Sequence, residues 1–189
     1  MRLVLASANP DKAREIAGLL ASAGVELLAR PLSLGEVDET GDTLEANALL
    51  KARAVMEAAG EAAVADDTGL EVGALGGRPG VYAARYAGEG ATYADNVAKL
   101  LVEMAGATDR RARFRTVAAV VWPGGRSVVA HGVVDGVIAD SPRGEGGFGY
   151  DPVFVPEGGG GLTYAEMTVP EKQAVSHRGR AFRALADLL

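Results

Sequence analysis

Apolar and polar positions along the chain follow two periods, one of strands and one of helices. Short apolar runs at residues 2–6, 25–29 and 62–65 have the length of buried strands. Between the first two, Ala13, Ile16, Ala17, Leu19 and Leu20 keep helical spacing. Asn9 caps that helix, Pro10 takes its first position, Asp11 sits in its first turn and Gly24 ends it. Thr43 caps a second helix, on which Leu44, Asn47, Ala48, Lys51 and Val55 share one side as far as Gly60. The polar stretch before it, up to Asp42, and the stretch 73–88 read as loops, and a third helix covers 92–104 with Val97, Leu100 and Leu101 apolar. Two long strand patterns, 113–122 and 126–138, flank Pro123-Gly124-Gly125 as a hairpin; a short strand follows at 153–155. A terminal helix over 177–189 turns Phe182, Leu185 and Leu188 inward. Strands alternating with helices first and a long hairpin later predict an α/β fold with a mixed sheet. No fixed-period repeat and no linker divides the chain, so residues 1–189 are expected to form a single domain.

Composition narrows the class. At 189 residues and 48% hydrophobic content, the chain can build a real core. No apolar run approaches the roughly 18 residues of a membrane span, and Met1 leads straight into the first strand pattern, leaving no room for a signal peptide. A cytoplasmic location is the expectation. Absence of cysteine excludes disulfides and thiolate metal sites, and two histidines cannot make a His-rich one. The net charge of −6 disfavours polymeric nucleic acid as a partner, although a local basic cluster with a divalent cation can still hold a small phosphorylated ligand.

Several segments carry groups suited to such a ligand. Ser7-Ala8-Asn9-Pro10-Asp11-Lys12 joins a strand to a helix whose first N–H groups are expected to be available to phosphate, with Lys12 adding a full charge; a plain capped helix is the alternative. Asp66-Asp67 ends the third strand pattern, ahead of Thr68 and a Gly69 that permits a sharp turn. Side chains alternate along a strand, so one carboxylate can meet a cation or activate water while the other braces the loop or meets solvent. Residues 144–149 fit GxGxxG literally, but an extended segment follows where a dinucleotide fingerprint needs a helix. That loop instead presents Phe148, which can stack on a base, and Asp151, which can accept from ring N–H groups. Lys172, His177 and Arg178 lie near the start of the terminal helical region, and His131 falls in a strand, where local packing explains it.

Taken in order, these segments resemble the Ham1 family of inosine/xanthosine triphosphate pyrophosphatases. The resemblance runs through residues 5–12, 47–52, 65–70, 75–82, 84–86, 146–152, 171–172 and 176–179. It implies an elongated mixed sheet flanked by helices, two lobes with a central cleft, and a homodimer. It implies Mg²⁺-dependent attack of water between the α- and β-phosphates of a non-standard purine nucleoside triphosphate (dITP, ITP or XTP). Asp67 takes the place of the catalytic, metal-associated aspartate. Ser7, Ala8, Asn9, Pro10, Asp11, Lys12, Thr68 and Lys172 stand at substrate positions. Phe148, Gly149, Tyr150, Asp151, His177 and Arg178 stand at the base pocket, where a donor such as Arg178 aimed at O6 would favour oxo-purines.

One position departs from the family pattern. A metal-binding Glu commonly precedes the Asn of the second motif, where this chain has Ala46. Glu45, one residue earlier and about 100° around the helix, is the expected substitute ligand, with ligation through water and Asp66 as the alternative. Pyrophosphatases of the Maf type share the opening Leu-Ala-Ser but favour a basic pair after Ser-Pro, where this chain has Asp11-Lys12. A nucleotide sensor without turnover is the remaining alternative, and retention of Asp67 argues against it.

Overall fold

The structure is a computed structural model that describes residues 1–35 and 37–189; Glu36, within the loop expected up to Asp42, lies outside the described residues. In chain order the elements are β1 (Arg2–Leu5), α1 (Pro10–Ala21), β2 (Glu26–Leu28), α2 (Leu44–Ala59), β3 (Ala63–Val72) and β4 (Pro79–Gly80). They continue with α3 (Tyr93–Glu103), β5 (Arg111–Val121), β6 (Ser127–Ile138), β7 (Phe154–Pro156), α4 (Val169–Val175) and α5 (His177–Ala186). The sheet order is β2-β1-β3-β5-β6-β7, with β4 paired to β3. β1 runs parallel to β2 and β3, whereas β3–β4 and β6–β7 are antiparallel, so the sheet is mixed as expected. Among the described residues no helix is long and apolar enough to cross a membrane.

The chain divides into two compact units: Met1–Asp67 with Thr116–Gly132 and Arg178–Leu189, and Thr68–Arg115 with Val133–His177. In the first, strand alternation sorts the core onto two faces. Leu3, Leu5 and Val64 pack with Ile16 and Leu20 of α1 and Ala181, Phe182 and Leu185 of α5. Val4, Ala6, Ala63 and Ala65 pack instead with Ala52 and Val55 of α2. The caps are those the sequence offers: Asn9 for α1, Thr43 for α2, and Gly60 in the left-handed conformation at the end of α2. The second unit has its own core, in which Leu70, Val72, Leu100, Met104, Phe114, Phe154 and Tyr164 are buried.

Three expectations need correction. β3 continues through Asp66, Asp67 and Gly69 to Val72 without turning, because Val64–Asp67 and Gly69–Leu70 are all buried and the backbone stays paired as far as β4. A separate helix, α4, precedes the terminal one; Thr168 and Glu171 form a reciprocal capping box that starts it. Leu188 is half exposed because α5 ends at Ala186, before that position can turn inward.

Gly136 of β6 lies opposite Pro156 of β7, and a Cβ there would stand 2.3 Å from the Val155 carbonyl oxygen and 2.8 Å from the Phe154 ring. Gly136→Ala must therefore push β7 away, and the expected loss is about 1–3 kcal/mol, the usual cost of overpacking. Urea denaturation should show a lowered midpoint; an unchanged midpoint would mean that β7 does not sit this close.

Candidate active site

Strand alternation sends the carboxylates of Asp66 and Asp67 to opposite faces of β3, and both are buried, at 3% and 4% exposure. Of the two roles expected for the second carboxylate, bracing the loop or meeting solvent, burial removes the solvated one. Ala63 and Ala65 face α2, and Asp67 continues that row; Val64 faces α1 and α5, and Asp66 continues that one. Each carboxylate then meets cations supplied by the helices on its own side.

On the α2 side, Asn47 and Lys51 are one helical turn apart and share a face. Asn47 donates from Nδ2 to Asp67 Oδ2 at 3.3 Å and accepts from the Gly41 amide at 2.8 Å. Lys51 Nζ donates to Asp67 Oδ1 at 3.0 Å and to Glu39 Oε1 at 2.6 Å. Burial pulls the Lys51 ammonium down, but Asp67, Asp66 and Glu39 more than reverse this and leave it above its ordinary value. Burial pushes the Asp67 carboxyl above the ordinary aspartate range, and Lys51 and Lys12 only partly offset it. Glu45 is elsewhere: its side chain is half exposed, with Oε2 3.7 Å from His131 Nε2. Two residues before Asn47 means about 200° around the helix, which turns position 45 away from Asp67. The carboxylate brought to Lys51 beside Asp67 is Glu39, which the sequence reading missed because it lies in an irregular loop with no periodicity to orient it.

On the α1 and α5 side, Lys12 Nζ lies 3.5 Å from Asp66 Oδ2, and Arg178 Nε donates to the same oxygen at 3.2 Å. Arg178 also donates from Nη1 to Glu15 Oε2 at 2.5 Å. Burial would raise the Asp66 carboxyl, yet Lys12, Arg178 and Lys51 hold it far below the ordinary range. Burial likewise lowers Lys12, with Asp66 restoring part of the loss, and Arg178 ends above its ordinary value because Asp66 and Glu15 outweigh its burial. The helix start takes the form of the plain capped helix, the alternative the sequence offers. Asn9 Oδ1 accepts from the amides of Asp11 (2.9 Å) and Lys12 (3.1 Å), and Pro10 has no N–H, so the cap itself uses the donors assigned to phosphate. Ser7 Oγ accepts from the Asn9 amide at 3.2 Å, Asp11 pairs with Arg14, and Ala8 is exposed. The cationic group that this segment offers is the Lys12 side chain.

The second unit gathers Phe148, Asp151, Lys172, Tyr164 and His177. Asp151 Oδ2 accepts from the Phe148 amide at 2.8 Å and from Lys172 Nζ at 2.5 Å. Gly147 has φ +70°, and a Cβ there would fall 2.0 Å from Asp151 Oδ2, so only glycine lets this turn close. The half-buried Phe148 ring has the Lys172 ammonium 4.9 Å from its centroid. His177 is buried and stacked on Phe114, with ring centroids 4.4 Å apart. Tyr150 is buried, and its hydroxyl donates to the Ala83 carbonyl at 2.9 Å, which ties it to the scaffold. Gly149 and Thr68 are partly buried. The chain crosses between units after Asp67 and again after His177, so His177 belongs to the second unit and Arg178 to the first.

Removing the Asp66 charge leaves the buried Arg178 and the partly buried Lys12 without their shared counter-ion. Asp66→Asn is expected to destabilise the protein by about 3–5 kcal/mol at pH 7. Because the folded-state pKa of Asp66 is depressed, this stabilisation is fully present above the unfolded value near 3.9 and is lost as pH falls through the lower folded one. Urea unfolding of both proteins should therefore show a gap that narrows from pH 7 to pH 3; a constant gap would contradict the network.

Comparison with known proteins gives this geometry a lineage. The pattern of the Ham1 family matches residues 3–188. A dITP/XTP pyrophosphatase of Nitratidesulfovibrio vulgaris is 50% identical, covering 98% of this chain and 94% of the relative. One from Thermus thermophilus is 49% identical, covering 99% and 91%. Among solved structures, a HAM1 protein from Coxiella burnetii superposes with a TM-score of 0.89 at 39% identity, covering 100% of this chain and 98% of its own. The nucleoside-triphosphatase, or dITP/XTP pyrophosphatase, of Mycobacterium abscessus gives a TM-score of 0.76 at 47% identity, with 100% and 98% covered. With the family pattern spanning nearly every residue and relatives about half identical along the same length, the chain belongs to the Ham1 family.

Proposed function

We propose that this chain is a nucleoside triphosphate pyrophosphatase that hydrolyses non-standard purine triphosphates (dITP, ITP and XTP) to the monophosphate and pyrophosphate. The observation that carries the reading is the buried Asp67 carboxylate, joined to Glu39 through the Lys51 ammonium. The names of the half-identical relatives supply the substrate class.

Mg²⁺ is the cofactor of this reading, and the donor set suits it. Among the described residues no group of three or more acidic or imidazole donors is gathered for a metal, whereas Mg²⁺ keeps several waters and takes one or two carboxylates together with substrate phosphates. Asp67 and Glu39 are the two carboxylates that would hold it. The seven side chains around β3 (Lys12, Lys51, Arg178, Asp66, Asp67, Glu15 and Glu39) carry three positive and four negative charges, so alone they do not offset a triphosphate. Bound there, Mg²⁺ supplies Lewis-acid stabilisation of charge on the phosphate oxygens.

The chain's own residues do the rest. Asp67, buried on the α2 face of β3, takes the proton from water. The water oxygen bonds to the α-phosphorus as the bond from that phosphorus to the bridging oxygen breaks, and pyrophosphate leaves. Lys12 and Lys51 counter phosphate charge. Phe148 stacks on the base, and Lys172 contacts the nucleotide beside it. A homodimer that clears damaged purine triphosphates from the nucleotide pool is the physiological form of this proposal.

With Mg²⁺ and dITP the protein should release dIMP and pyrophosphate; release of a single phosphate would refute this bond cleavage. Asp67→Asn is expected to fold and to lose about 10²–10⁴ in turnover, the range of a general base, read by a pyrophosphate assay. Undiminished turnover would place the chemistry on another carboxylate. Glu39→Gln should raise the Mg²⁺ concentration needed for half-maximal rate, with Glu45→Gln behaving as the parent; the opposite ranking would restore Glu45 as ligand.

A further inference from the structure

The second unit holds an aromatic ring beside Phe148 that none of the sequence motifs contains. Tyr93 is the first residue of α3, and its ring centroid lies 5.8 Å from that of Phe148, with the planes tilted by 43°. This is within the separation at which aromatic rings attract each other. Tyr93 keeps 40% of its surface exposed, so burial in a core is not what places it there. Its backbone is fixed by a capping box: Thr92 Oγ1 accepts from the Asp95 amide at 3.2 Å, and Asp95 Oδ2 accepts from the Thr92 amide at 2.9 Å.

Phe148 is anchored from its own side. Its amide is held by Asp151, and the turn before it closes only with Gly147. Two fixed backbones therefore bring two rings together, and Lys172 Nζ lies 4.9 Å from the Phe148 centroid as a third neighbour. A phenylalanine side chain on a fixed backbone still has its own torsions to settle. Tyr93 and Lys172 are two of the neighbours that bear on those of Phe148.

We propose that Tyr93 is a positioning residue for base recognition: it holds the Phe148 ring in the orientation against which a purine base stacks. The proposal rests on the reading of Phe148 as a base contact. Tyr93 acts through its ring and not its hydroxyl, so phenylalanine can replace it and an aliphatic side chain of similar size cannot.

The test is steady-state hydrolysis of dITP at saturating Mg²⁺ by the parent, Tyr93→Phe, Tyr93→Leu, Phe148→Ala and the Tyr93→Leu/Phe148→Ala double variant. Leucine keeps apolar bulk at a partly exposed helix start, and a thermal melt confirms that each variant is folded. Tyr93→Leu is expected to raise KM about two- to tenfold, the factor such a ring pair is worth, with kcat near the parent's and Tyr93→Phe restoring parental KM. Phe148→Ala should raise KM further, and adding Tyr93→Leu to it should change nothing more. Parental KM in Tyr93→Leu beside a raised KM in Phe148→Ala overturns the role of Tyr93 and leaves the base-contact reading standing. Parental KM in Phe148→Ala overturns the base-contact reading and the role of Tyr93 with it.

Discussion

Two adjacent carboxylates buried on one strand can stay charged only if each face of the sheet brings its own cation. This constraint organises the first unit of the protein. An isolated buried carboxylate would protonate instead of remaining charged, and β3 places Asp66 and Asp67 in succession with almost no solvent at either. The period-2 geometry of the strand separates them, and the helices on the two faces answer differently. α1 and α5 supply Lys12 and Arg178 to Asp66, while α2 supplies Lys51 to Asp67.

The two sites that result are chemically unlike. Lys12 and Arg178 hold Asp66 deep in the acidic range, so it is a permanent anion whose work is to keep the two cations in place. Asp67 faces one cation at hydrogen-bond distance, shares that cation with Glu39 and has its carboxyl raised by burial. A carboxylate of that kind is suited to taking a proton or a metal ion. The unequal number of cations, more than the identity of the carboxylates, distinguishes the structural partner from the chemical one.

Much of this was legible in the sequence. The caps at Asn9 and Thr43, the helical faces of α1 and α2 and the long hairpin follow from local patterns, because capping and periodicity are decided within a few residues, whereas only the family resemblance singled out Asp67 from Asp66. What the sequence did not disclose is long-range. Glu39 reaches Lys51 from an irregular loop, Glu15 meets Arg178 across 163 residues of chain, and Tyr93 meets Phe148 across a gap with no motif in it. Glu45 lies against His131 because one position along a helix changes the face presented, and adjacency in sequence does not carry over to adjacency in space. Asp66 was read as a loop brace or a solvated group because nothing local to it announces that β3 runs on to Val72.

The division of labour between the two neighbours is the centre of this account, and a carboxyl-carbon NMR titration of the metal-free protein with labelled aspartate tests it most directly. The account predicts that Asp66 titrates below the ordinary aspartate range and Asp67 above it. Equal values, or the reverse order, would contradict it.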